Sequence, residues 1–97
     1  MELQDIRKQL DEIDDQLTVL FLRRMEWAAR AAARKKAQGL PVLDAEREQQ
    51  IIARVTRQAG KDMGEYIQPI FRALFSVSRA YQETLLSAEA DQDGTRP

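Results

Sequence analysis

From Leu3 onward, apolar residues recur at Ile6, Leu10, Ile13, Leu17 and Leu20/Phe21 in alternating steps of three and four, and the pattern continues more weakly through Trp27, Ala28 and Ala31. No glycine or proline interrupts the run before Gly39, and Pro41 follows two residues later, where a helix is expected to stop. The spacing predicts one helix from about Leu3 to Gln38, ~54 Å long at ~1.5 Å per residue. That is well beyond the diameter of a compact domain of 97 residues. Its apolar seam must therefore be covered by something outside its own fold. A chain this short also has little core for its surface, and gains much by associating with a copy of itself. One domain, dimerised, is the expected architecture.

Two shorter helices are expected beyond the Pro41 loop. The first runs from about Asp44 to Ala59 with a seam at Glu48, Ile52, Val55 and Ala59; the second runs from about Glu65 to Ser87 with Ile67, Phe71, Leu74, Ser78, Tyr81 and Leu85. Gly60 and Gly64 bracket the turn between them, and Pro69 falls early in the third helix, where it marks either a late start or a mild kink. Residues 1–87 form the expected domain, and the polar, aperiodic tail 88–97 is read as disordered or a linker. Neither a strand pattern nor an internal repeat is present. The fold class is all-α, with three helices per chain, one of them very long.

Composition narrows the chemistry. The chain has no cysteine and no histidine, which removes disulfides, thiolate nucleophiles, imidazole bases and the usual zinc ligands. A formal net charge of −1 gives no general attraction to nucleic acid or to an anionic membrane, so any basic site must be local. The N-terminal segment MELQDIRKQLDEIDDQL is charged and amphipathic rather than signal-like, and no run of ~18 apolar residues could span a bilayer. A cytoplasmic protein, binding neither nucleic acid nor membrane, is expected.

Seven polar side chains then stand out, in or beside apolar seams: Arg7, Arg24, Lys35, Asp44, Glu48, Ser78 and Gln82. A charge placed where a core should close needs a partner or a ligand. Arg24 and Lys35 are eleven residues apart, about three helical turns, so both project from one face and can converge on a small anion. Asp44 and Glu48 are related as i and i+4, as are Ser78 and Gln82, so each pair shares a face of its own helix. Arg7 lies ~25 Å along the helix from Arg24, too far for both to grip one small molecule within a single chain. It is either a surface residue or part of a second subunit's site. Blander roles stand beside these: Asp44 as a helix N-cap without a capping box, Glu48 paired with a nearby arginine, Arg24 and Lys35 extending from the seam to water, Ser78 as a small packing residue. Arg30, Arg34 and Lys36 read as a solvated face, and Trp27, Phe71, Phe75 and Tyr81 as core or dimer contacts.

The ordered set of Arg7 and Arg24 on a long first helix, Lys35 near its end, GLPVLDAERE with Asp44 and Glu48, and EYIQPIFRALFSVSRAYQ with Ser78 and Gln82 resembles the all-helical class of chorismate mutases. The resemblance covers about residues 3 to 87. It implies an intertwined homodimer in which Arg7 is donated across subunits, and it implies the rearrangement of chorismate to prephenate. That reaction is intramolecular: a C–O ether bond breaks as a C–C bond forms, with no covalent intermediate and no obligatory proton transfer. It needs no metal and no organic cofactor, and the lack of His and Cys is no obstacle.

Carried over by position, the resemblance makes Arg24 and the second subunit's Arg7 the carboxylate ligands, with Lys35 reaching a carboxylate and the ether oxygen. Gln82 would donate to the same oxygen, Glu48 would accept from the ring hydroxyl with Asp44 in support, and Ser78 would touch a carboxylate. Lys35, Gln82 and Arg24 are thus the expected catalytic groups. Alternatives are an isochorismate-pyruvate lyase, whose branch tends to lack the acidic pair, and a catalytically weak regulatory module fused to or associated with another shikimate-pathway enzyme.

Overall fold

The computed structural model describes the backbone of residues 1–92 and the side-chain surroundings of residues 1–88. Its two elements are α1 (Leu3–Gln38) and α2 (Ala45–Gln92), with no strand among the described residues. The ends of α1 are where the sequence pattern puts them. At its start the Glu2 N–H donates to the Asp5 carboxylate at 3.2 Å, which gives one otherwise orphaned backbone donor a partner. At its end Gly39 takes a left-handed conformation (φ 69°), with Leu40 N–H donating to the Lys35 carbonyl at 2.8 Å and Gly39 N–H to that of Lys36 at 3.1 Å. This paired closure requires a residue tolerant of positive φ.

The expectation of three helices is corrected to two. Residues 45–92 form one helical element broken only at Gly60, whose φ of 85° and ψ of 177° lie in a region reserved for glycine. A single residue thus redirects the chain, and helical bonding resumes without an intervening loop. Gly64, expected in that turn, is helical and serves close packing instead: a Cβ there would lie 3.0 Å from Thr56 Cγ2 and 3.3 Å from the Thr56 carbonyl. The two arms, 45–59 and 61–92, fold back on each other as a hairpin. Gln68 Nε2 donates to Thr56 Oγ1 at 3.2 Å near the bend, and Arg79 bonds Glu48 farther out. Pro69 lies inside the second arm, where its missing N–H leaves the Glu65 carbonyl without a helical donor. The helix continues past Ser87 to Gln92; the remainder of the tail expected at 88–97 lies outside the described residues.

Ile51, Val55 and Phe75 form the buried centre of the hairpin, with Ile52, Ile67 and Phe71 packed against it and Phe71 meeting Phe75 edge-on at 6.1 Å between centroids. From α1, the stripe Arg24, Ala28, Ala32 and Lys35 is partly or fully buried. Residues 1–23, by contrast, are all exposed. The molecule measures 62 × 29 × 16 Å, with a radius of gyration of 17.5 Å, against ~13 Å for a compact chain of about this length. Among the described residues no helix is long and apolar enough to cross a membrane.

Candidate active site

Where the end of α1 crosses the hairpin, a cavity of about 330 Å³ opens, lined by six of the seven polar residues singled out from sequence: Arg24, Lys35, Asp44, Glu48, Ser78 and Gln82. Both helices and the cap between them supply these residues. Arg24 and Lys35 come from α1, Asp44 from the residue just before α2 and Glu48 from the first arm of the hairpin, Ser78 and Gln82 from its second arm. The helical spacings explain the convergence, since each pair occupies one face of its own helix and all three faces point inward. Arg7 is not among them. It is exposed and lines a separate surface depression with Gln4, Asp5, Lys8 and Asp11.

The cationic side is built by α1. The Arg24 guanidinium lies over the Phe75 ring, 5.7 Å from its centroid, within cation–π range. Its pKa is lowered from the ordinary arginine value, first by burial and then by repulsion from Arg47 and Arg54, with Glu48 acting in the opposite sense. A charge so placed gains from an added anion. Lys35 Nζ donates to the Val42 carbonyl at 2.7 Å, which ties the loop after α1 back onto the helix and leaves two of the ammonium's three N–H groups for other partners.

The polar floor comes from the second arm. Ser78 and Gln82 are both buried, 5% and 6% exposed, and Gln82 Nε2 donates to Ser78 Oγ at 3.1 Å. Gln82 Oε1 is buried without a hydrogen-bond partner. An unpaired buried polar atom costs ~1–3 kcal/mol, a cost that a bound polar ligand can remove. Nε2 carries a second N–H beyond the one given to Ser78, and the Ser78 hydroxyl, which accepts in this pair, keeps its own proton to donate.

On the acidic side, Asp44 does act as a helix cap: its Oδ1 accepts the Arg47 N–H at 3.0 Å, while the residue is exposed at the cavity rim. Glu48 does have an arginine partner, Arg79 of the second arm. Both structural roles weighed from sequence are therefore present, and both residues still line the cavity. Of the aromatic residues expected in the core or at contacts, Phe75 is buried and Phe71 half-buried, whereas Tyr81 is exposed and Trp27 is 61% exposed, carrying Arg30 on its ring at 4.4 Å.

Two charged residues of the cavity were not anticipated from the sequence, Arg47 and Arg79. The signal was present as face periodicity: Arg47 continues the row Asp44, Glu48, Ile51, and Arg79 the row Phe75, Ser78, Gln82. Both were hidden by an abundance of surface arginine.

An all-helical frame that brings four cationic side chains, Arg24, Lys35, Arg47 and Arg79, and a buried amide around a small cavity defines a site for a compact anionic ligand. The chain belongs to the chorismate mutase type II family, whose family model matches residues 6–83, a span that takes in every residue lining the cavity as well as Arg7. The activity of that family is an isomerase's, and this chain is an enzyme of that kind. No curated protein and no solved structure matches the chain.

Proposed function

We propose that the cavity binds chorismate in its compact, chair-like conformer and converts it to prephenate by positioning and electrostatic stabilisation alone. The reading rests on one observation: Arg24, Lys35 and the buried amide of Gln82, from two different helices, face the same cavity. A planar guanidinium meets a carboxylate bidentately, so Arg24 holds one carboxylate of the dianion. Lys35 has N–H groups to spare for a carboxylate and for the ether oxygen. As the ether bond breaks, negative charge grows on that oxygen, and donors already in place stabilise it without any reorganisation. Gln82 supplies such a donor from the buried side. Glu48 accepts from the ring hydroxyl, Asp44 supports that end, and Ser78 contacts a carboxylate while it holds the Gln82 amide.

We propose that the second carboxylate is met by Arg7 of a second copy, a cation added to the Arg24, Lys35, Arg47 and Arg79 that already line the cavity. Leu3, Ile6, Leu10, Ile13 and Leu17 are all about half exposed in the single chain, so covering each is worth roughly 1 kcal/mol, about half the value of burying a fully exposed side chain. Pairing the free portions of two α1 helices covers both seams at once and carries each Arg7 toward the other copy's cavity.

Purified protein mixed with chorismate should consume the substrate's ultraviolet absorbance and yield prephenate. Formation of pyruvate and salicylate from isochorismate, with chorismate left intact, would instead favour the lyase. Intact dimers inert toward both substrates would favour a regulatory module.

A further inference from the structure

We infer that Arg79 is a positioning residue for the reaction proposed above, and that its task is to hold Glu48 away from Arg24. The inference rests on that proposed function. Glu48 sits on the first arm of the hairpin and Arg79 on the second, 31 residues later, and Arg79 Nη1 donates to Glu48 Oε2. The pair stands in the wall shared by two cavities: the site, and a groove on the other side of the hairpin where Glu48, Phe75 and Arg79 recur among the lining residues.

Both members are partly solvent-exposed, 34% for Arg79 and 25% for Glu48. Pairs in such a setting contribute little to folding. Geometry gives it a different consequence. Glu48 lines the same cavity as Arg24 and Arg47, and its charge is felt at Arg24, where it raises the guanidinium's pKa against burial. A glutamate has three rotatable side-chain bonds. Without Arg79, the carboxylate can swing toward Arg24 and occupy the cation that the substrate's carboxylate needs. Arg79 offers a competing fork from the opposite arm, engages one carboxylate oxygen, and so keeps Glu48 at the ring-hydroxyl end while Arg24 stays open. Glu48 bound to Arg24 would be an internal substitute for substrate, and Arg79 suppresses it.

The signature is a binding defect that depends on Glu48. Arg79→Met keeps the aliphatic stem and removes the donors; it should raise KM for chorismate on the order of tenfold, with a smaller effect on kcat, because bound substrate must first displace Glu48. Arg79→Lys should return KM to within about threefold of wild type, since one ammonium can still hold the carboxylate. In a Glu48→Gln background, where the competing charge is gone, the same Arg79→Met change should alter KM by less than about twofold. Arg79→Gln provides a second neutral variant if the methionine chain fails to fold, as judged by its helical melting curve. A KM defect of equal size with Glu48 and with Gln at position 48 would overturn the positioning role while leaving the proposed reaction intact. A folded wild-type dimer that leaves chorismate unconsumed would overturn the reaction itself, and the role with it.

Discussion

The two ends of α1 carry the same kind of apolar seam and meet opposite fates. From Arg24 to Lys35 the inward stripe packs on the hairpin and builds one wall of the cavity; from Leu3 to Leu22 the seam faces solvent throughout, with Leu17 59% exposed. Local sequence does not explain the difference, since the solvent-facing portion is the more regularly apolar of the two. The difference lies in what the rest of the chain can reach: a hairpin with arms shorter than α1 covers one end of it and no more. On the function proposed above, a helix longer than its own domain would serve as a docking arm, and Arg7, which lies on that arm and outside the cavity, would act in a second copy's site.

The largest effects are expected at the packed end of α1. If Gln82 is the proposed donor to developing negative charge, Gln82→Ala should lower the rate on the order of a hundredfold to a thousandfold at every pH. Gln82→Glu should behave differently, because a carboxyl donates only while protonated. Activity should persist in acid and fall as pH rises through the pKa of the introduced group, since the ionised form opposes charge growth on the ether oxygen. A pH–rate profile that parallels wild type from about pH 5 to 8 would remove Gln82 from this role and leave Lys35 as the donor.

Stability compares the two ends directly. Phe75→Ala opens the buried centre of the hairpin and should cost roughly 3–5 kcal/mol in chemical denaturation. Leu10→Asp and Leu17→Asp alter side chains already half in water, and in an isolated chain substitutions at such exposed sites should stay within about 0.5 kcal/mol. If a second copy covers the seam, each should instead break the dimer in analytical ultracentrifugation and abolish turnover. A folded, dimeric, active Leu10→Asp protein would show that the free end of α1 is not an interface. A smaller effect is expected at the bend: Gly60→Ala has open space for its methyl but places it at φ 85°, a backbone strain of roughly 1–3 kcal/mol.

These regions also differ in how much of them could be read from sequence. The limits of α1 were legible because periodicity and a Gly–x–Pro stop are local signals. The hairpin was legible as two helical seams, but its joint was not: two glycines four residues apart look alike in sequence, yet Gly60 turns the chain and Gly64 lets Thr56 approach. Only the fold separates a glycine needed for its backbone from one needed for its missing side chain. Within the site, Arg24, Lys35, Ser78 and Gln82 were conspicuous as polar breaks in apolar faces. Arg79 was not, because the partner that gives it meaning lies 31 residues away on the opposite arm. The orphaned Gln82 Oε1 was beyond reach for the same reason, since burial is a property of the assembled helices.

The central claim is that the packed end of one α1 and the free end of another complete a single site, and mixed dimers test it most directly. Arg7→Ala and Arg24→Ala chains, each inactive alone, are mixed, unfolded and refolded so that subunits exchange, and turnover of chorismate is followed. If each site takes Arg24 from one chain and Arg7 from the other, a heterodimer carries both lesions in one site and neither in its second, so activity should return to about a quarter of the wild-type value from the statistical half that are heterodimers. Verified heterodimers with no activity above that of the two parent variants would contradict the claim.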